Sequence, residues 1–269
     1  MDESKYYGDP CSSPSLSYSI ARTLLKQSPY HAWLEHPRLG GEGRKVTKAM
    51  DLGKILHAML LGTETNICWL DFPDYRTKAA QNARDEAEFN GKIPMLDKET
   101  AKLTSILEAT KRQLADFGVS LDGQVEGTVL WCEQDNKDRT IYCRSRLDLF
   151  DGRTITDIKF VNDANPQSLL RKIIDMGYDI QAAAYCQAVA RQCPELKGKV
   201  KFRNLFCETE PPYLVTVVNQ DESLIELGRT KWSMAINLWS ECLHSNKWPA
   251  YGEVTLSAPA WAMSEEISV

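Results

Sequence analysis

No stretch of 18 apolar residues occurs in this 269-residue chain, so no segment reads as a membrane-spanning helix. Cys-x-x-Cys pairs are missing as well. The eight cysteines, Cys11, Cys68, Cys132, Cys143, Cys186, Cys193, Cys207 and Cys242, are scattered. Zinc sites and iron–sulfur clusters need closer ligand spacing, so buried free thiols and no cluster are expected. The opening Met1-Asp-Glu-Ser-Lys-Tyr-Tyr lacks the basic and apolar regions of a secretory signal. With the unpaired cysteine pattern this predicts a cytoplasmic protein. A basic surplus is absent too: the net charge is −5 and the pI about 5.5. That counts against a passive nucleic-acid binder. There is no internal repeat and no linker rich enough in Gly, Ser or Pro to divide the chain. One domain over 1–269 is therefore expected, with the polar, proline-containing residues 1–15 flexible.

What is present suffices for a large core: 43% of residues are hydrophobic and only 26% are charged. Ser17 can cap a helix that runs to about residue 34, stopped near Pro29 or Pro37. Gly40-Gly-Glu-Gly43 reads as a loop. Residues 48–61 read as a largely buried helix, with Met50, Leu52, Ile55, Leu56, Met59 and Leu60 over much of its circumference and His57 inside it. The polar stretch 76–91 is an exposed helix or arm, and 97–117 has helical periodicity. Strands are expected at 124–133, 139–150 and 153–162. Helices follow from Pro166 and over 179–192, then strands at 200–207 and 213–219 and a long helix at 221–243. The tail carries Trp248-Pro249 and Pro259-Ala-Trp261. The order predicts an α/β fold with a mixed sheet and an N-terminal helical portion.

The richest segment runs from Arg146 to Lys159. Asp151-Gly152 is a two-residue turn signal between strand-forming flanks. A hairpin closed there sets Phe150 opposite Arg153 and Asp148 opposite Ile155. Asp148, Asp157 and Lys159 then share a face, with the two carboxylates roughly 7–8 Å apart at the backbone. Both can reach one metal ion, with Lys159 beside it. The same register sets Arg146 opposite Asp157, which also fits a plain cross-strand salt bridge. It sets Arg144 opposite Lys159, an unfavourable pairing of like charges unless an anion such as a phosphate lies over them. Asp, then Asp-x-Lys on the next strand, is the pattern of the PD-(D/E)xK nucleases. An acidic balance is compatible with such an enzyme, because its metal-binding carboxylates add negative charge and its groove can still be basic.

Other segments extend the match: Leu16-Ser-Tyr-Ser19 with Ser28-Pro29, Gly53-Lys-Ile-Leu-His57 followed by Leu60-Leu61, Arg76-Thr-Lys78, Glu126 before a strand ending in Trp131, Arg146-Leu-Asp148, Gln181-Ala-Ala-Ala-Tyr185 and Trp248-Pro-Ala-Tyr251. In this order the chain resembles the RecE-type exonucleases (exonuclease VIII, phage and prophage recombination nucleases) of the PD-(D/E)xK superfamily. The resemblance implies a restriction-endonuclease-like core and digestion of linear duplex DNA from the 5′ strand in a bacterial or phage-infected cell. It implies a ring-like homo-oligomer and a single-strand annealing protein that takes the 3′ single strand. Asp148 and Asp157 would bind the metal, Lys159 would activate water or stabilise transition-state charge, and His57 would add a ligand. Gln181 and Tyr185 would border the site and contact DNA.

Hard oxygen ligands select Mg2+ or Mn2+, one ion or two, and the Ile158 carbonyl is a further candidate ligand. Read without the resemblance, His57 is a core residue, and Gln181 and Tyr185 are a packed i, i+4 pair. Glu126 is an edge charge or a support to the site. Arg76 and Lys78 are a solvated face or, with Arg144 and Arg146, contacts to DNA phosphates. A structure-specific or restriction-type endonuclease and a non-catalytic DNA-binding module on the same fold are the competing readings.

Overall fold

The structure is a computed structural model, described here for residues 1–42, 48–63 and 66–259. Gly43 of the expected loop and Trp261 of the tail fall outside these residues, as does the Met50 side chain. The chain opens with helices α1 (Glu3–Tyr7), α2 (Tyr18–Lys26), α3 (Pro29–Glu35) and α4 (Lys48–Leu61). Strand β1 (Ile67–Leu70), helix α5 (Lys78–Phe89), strand β2 (Ile93–Leu96) and helix α6 (Thr100–Asp116) follow. The central elements are β3 (Gln124–Gln134), β4 (Thr140–Phe150), β5 (Thr154–Val161), α7 (Pro166–Met176), α8 (Tyr178–Gln192), β6 (Lys201–Glu208), β7 (Val215–Gln220) and α9 (Glu222–Ser245).

The five central strands form one sheet in the order β3-β4-β5-β6-β7. Neighbours are antiparallel except β5 and β6, which run parallel and are joined through α7 and α8. A parallel neighbour needs such a long crossover, so the helices between β5 and β6 follow from the sheet. The expected mixed sheet flanked by helices is what forms. The small parallel sheet of β1 and β2, with α5 packed on it, was not predicted.

Two apolar layers enclose the sheet. On one side α2, α8 and α9 bring Ile20, Leu24, Ile180, Ile225, Trp232 and Trp239 against Trp131, Leu147, Ile155 and Phe202. On the other, α4 and α6 bring Ile55, Leu56, Leu103 and Ile106 against Ile158, Leu205 and Val215. The α8–α9 contact depends on Gly228: a Cβ there would lie 2.0 Å from the Asp179 carbonyl oxygen.

The N-terminus departs from expectation in two ways. The single helix expected from Ser17 to residue 34 is two helices, because Ser28 caps a new one that starts at Pro29. Residues 1–15, expected to be flexible, are mostly exposed but anchored at three points. Tyr6, Asp9 and Ser15 are buried, and Asp9 accepts hydrogen bonds from the Ser15 backbone N–H (2.9 Å) and hydroxyl (2.7 Å).

Candidate active site

Strands β4 and β5 pair only at Leu149↔Thr156 and Phe150↔Ile155. The predicted register, with Phe150 opposite Arg153, is therefore out by two residues. The cause is Asp151. Its carboxylate accepts the backbone N–H groups of Arg153 (2.8 Å) and Thr154 (2.7 Å), so that Asp151, Gly152 and Arg153 separate the strands rather than a two-residue turn. Beyond Leu149 the strands splay. The Asp148 carboxylate occupies the gap, and its Oδ2 accepts the Ile158 backbone N–H at 2.7 Å.

Asp148, Asp157 and Lys159 still meet. Lys159 Nζ lies 2.7 Å from Asp157 Oδ2, and His57, carried by α4, places Nε2 3.0 Å from Asp148 Oδ2. Asp157 is completely buried, whereas the Asp148 side chain is 19% exposed. Gln181 donates to Asp157 Oδ1 at 2.6 Å and Asn204 to Oδ2 at 3.2 Å. The parallel register sets Asn204 beside Asp157. The Lys159 ammonium sits 4.9 Å from the centre of the Tyr178 ring, a cation–π contact.

The two carboxyls titrate in opposite directions. Burial pushes Asp157 up to about 6, against the pull of Lys159 and with a further push from Asp148. Burial also opposes ionisation of Asp148, but the His57 and Lys159 charges and the Ile158 N–H outweigh it and hold that carboxyl below its ordinary range. Burial would lower Lys159, yet Asp157 and the neighbouring acids hold it well above the usual lysine value, so it is a cation. Burial would lower His57 too, and Asp148 raises it further than burial depresses it.

Among the described residues no three His, Cys, Asp or Glu side chains already converge as a ligand set. The carboxylates are instead neutralised by His57 and Lys159. The donor types nonetheless suit a hard divalent ion. Asp148 Oδ1 is free of the hydrogen bonds that hold Oδ2. In an extended strand the N–H and C=O of one residue point the same way, so the Ile158 carbonyl faces the same gap as its N–H.

The remaining predicted residues fare differently. Glu126 lies within β3 rather than before it, opposite Asp148, with a left-handed backbone (φ 51°). It binds Arg146 and stands 3.9 Å from His57 Nδ1. Gln181 and Tyr185, expected to border the site and contact DNA, are both buried. Gln181 holds Asp157, and Tyr185 packs edge-on against Tyr18 and Phe202 in the core. Arg144 is not paired with Lys159 over an anion. Its side chain is 5% exposed, and its guanidinium donates to the Ser15 carbonyl at 2.8 Å and lies 3.3 Å from Asp9. Arg146 lies not opposite Asp157 but on Glu126 and the Met1 carbonyl. Arg76 and Lys78 are exposed at the start of α5, with Arg76 on Asp74.

Tyr178, Asn204 and Gln220 were missed. The sequence around Asn204, Phe202-Arg-Asn-Leu-Phe-Cys207, has strand composition, but Arg203 beside it makes Asn204 look like one of two ordinary polar positions.

No curated protein matches the chain. Among solved structures, a protein from Eubacterium rectale provisionally assigned as an exonuclease has a TM-score of 0.64, with 12% identity and 99% of both chains covered. An alkaline exonuclease from Laribacter hongkongensis has a TM-score of only 0.30, at 15% identity over 72% of this chain and 96% of that one. The first supports the fold and the second is too distant to add to it. No helix among the described residues is long and apolar enough to cross a membrane. Residues 17–257 match the PDDEXK-like domain of unknown function (DUF3799), and with the splayed hairpin and its Asp, Asp-x-Lys cluster in place, the chain belongs to that PDDEXK-like family.

Proposed function

We propose that this chain is a divalent-metal-dependent deoxyribonuclease that degrades linear duplex DNA as an exonuclease. The observation that carries the reading is the meeting of Asp148, Asp157 and Lys159 at the splayed edge between β4 and β5 of a PDDEXK-like sheet. A binding module has no need for two carboxylates and a buried lysine held together in this way.

Asp148, Asp157 and the Ile158 carbonyl would hold Mg2+ or Mn2+, with His57 as a further ligand once released from Asp148. When bound, such an ion supplies positive charge beside the scissile phosphate and acidifies an attacking water. Lys159 is a cation fixed by Asp157 and the Tyr178 ring, so its role is to stabilise negative charge developing on the phosphate rather than to take a proton. Gln181 keeps the Asp157 carboxylate oriented. Glu126 and Arg146 border the cleft and hold each other. Arg76 and Lys78 are available for phosphate contacts on the DNA track.

By the family resemblance, the 5′ strand is digested and the 3′ strand passes to a single-strand annealing protein, with the nuclease acting as a ring-like homo-oligomer. The test is release of label from each end of linear duplex, with Mg2+ or EDTA, beside a circular duplex of the same sequence. Metal-dependent release from 5′ ends with the circle intact is expected. Cleavage of the circle would make the enzyme an endonuclease, and hydrolysis in EDTA would remove the metal.

A further inference from the structure

Asp157 is held through a buried chain of amides that reaches well beyond the acidic cluster. Asn204 on β6 has its Nδ2 on Asp157 Oδ2. A carboxamide can present either end, and a carboxylate accepts only from the nitrogen end. Gln220 on β7 decides which end is presented. Its Nε2 donates to Asn204 Oδ1 at 2.9 Å and to the Tyr178 carbonyl at 3.2 Å. With Oδ1 so engaged, the Asn204 nitrogen faces Asp157. The chain closes on itself, because the Tyr178 ring carries the lysine that pairs with Asp157.

We propose that Asn204 and Gln220 are positioning residues that fix the Asp157 carboxylate for a divalent metal. This rests on the function proposed above.

A purely structural role fits the chain poorly. Asp157, Gln181, Asn204 and Gln220 are all buried, and Ile155 and Phe202, each two residues before Asp157 and Asn204 on the paired strands, are buried apolar side chains. Apolar side chains of similar volume are often as stable as a buried polar network, or more so. The network also leaves its own acceptors unmet: Gln181 Oε1 and Gln220 Oε1 are buried without a hydrogen-bond partner among the described residues. Unmet buried acceptors are a stability liability. The Gln181 and Asn204 donors converge on one carboxylate, and Gln220 orients the second of them. Partners that orient a metal ligand act in this way, and their loss typically costs about 10–100-fold in metal affinity.

The test is calorimetric titration of the folded protein with Mn2+, well below each variant's melting temperature, beside the rate of duplex hydrolysis against Mn2+ concentration. Asn204→Leu removes the donor. Gln220→Met keeps the volume and leaves the Asn204 amide free to turn over. Asn204→Asp sets an acceptor against Asp157. Each should weaken Mn2+ binding, Asn204→Leu by on the order of tenfold or more, and raise the Mn2+ concentration needed for hydrolysis in parallel. Asn204→Ser, which retains a shorter donor, should recover part of the affinity and serves if the leucine variant does not fold. Ile236→Ala, a core substitution in α9 sixteen residues past Gln220, should lower the melting temperature and leave Mn2+ affinity unchanged. If the folded Asn204 and Gln220 variants bind Mn2+ within twofold of the wild type, the positioning role is overturned while the nuclease reading stands. If the wild type itself neither binds Mn2+ nor hydrolyses DNA, the proposed function falls first.

Discussion

Arg144 separates two readings of the same residue. A cation on the strand that carries Asp148 looks like a phosphate contact, but the structure places its guanidinium inside the protein, on Asp9, the Ser15 carbonyl and the Tyr6 ring (5.9 Å). Arg144→Met breaks a buried pair by removing one partner, which costs about 3–5 kcal/mol. Asp9 keeps its Ser15 donors and a contact to His36 at 3.3 Å, so the low end of that range, about 3 kcal/mol, is expected. At roughly 2–4 °C per kcal/mol for a chain of this size, the melting temperature should fall by about 6–12 °C. The companion measurement is duplex binding against salt concentration, with Ca2+ in place of Mg2+. A lost phosphate contact would reduce the logarithmic salt slope by about 0.9. No change in slope is expected. Arg144→Lys keeps the charge without the planar fork and should recover only part of the stability. An unchanged melting temperature with a slope shallower by about one would refute the burial argument and return Arg144 to the DNA surface.

Tyr185→Phe should keep hydrolysis close to the wild-type rate, because the ring packs in the core, whereas Tyr185→Ala should cost about 3–5 kcal/mol by chemical denaturation; a selective loss of DNA affinity in the folded Phe variant would contradict this. Mn2+ at about 100 times its dissociation constant should stabilise the wild type by about 2.7 kcal/mol, and Asp148→Asn should remove that gain in a thermal melt. In EDTA, Asp157 should make stability depend on pH. Its folded value, about 6, lies above its unfolded one, so the contribution is fully present below about pH 4 and is lost as pH rises through 6. The stability of Asp157→Asn relative to wild type should therefore rise over that interval, and a constant difference would show that burial does not raise this carboxyl.

Much of the sheet was legible because strand composition and apolar runs are local properties. The strands expected at 124–133, 139–150 and 153–162 lie within one or two residues of β3, β4 and β5. Asp148, Asp157 and Lys159 were legible for the same reason, as short spacings around one turn. The pairing register was not, because it hung on what the Asp151 side chain does. Asp-Gly signals a two-residue turn, but an aspartate that accepts two backbone N–H groups lengthens the loop. Arg144 was misread because its partners, Asp9 and Ser15, lie more than a hundred residues away in sequence. Nothing near residue 144 announces them. Gln181 and Tyr185 lie one turn apart on α8, and spacing says only that they share a face. It does not say that the helix is buried nearly all round.

The backbone around Asp148 explains why this carboxylate can reach across to β5. On one side β4 parts from β5 after Leu149. On the other, the pairing of β3 with β4 lapses at Glu126, the residue opposite Asp148, although the register resumes unshifted at Gly127. Glu126 holds a left-handed conformation, which costs a non-glycine residue about 1–2 kcal/mol. Both departures from a regular sheet thus fall at one point on β4, and each gives up ladder hydrogen bonds. The first lets the Ile158 N–H turn to a side chain instead of a strand, and the second aims Glu126 toward His57 and Arg146. A sheet selected for stability alone would pair through both positions. Strain of this kind persists only where the surrounding structure holds it in place, and here it gathers where two carboxylates, an imidazole and a lysine meet, as the proposed function requires.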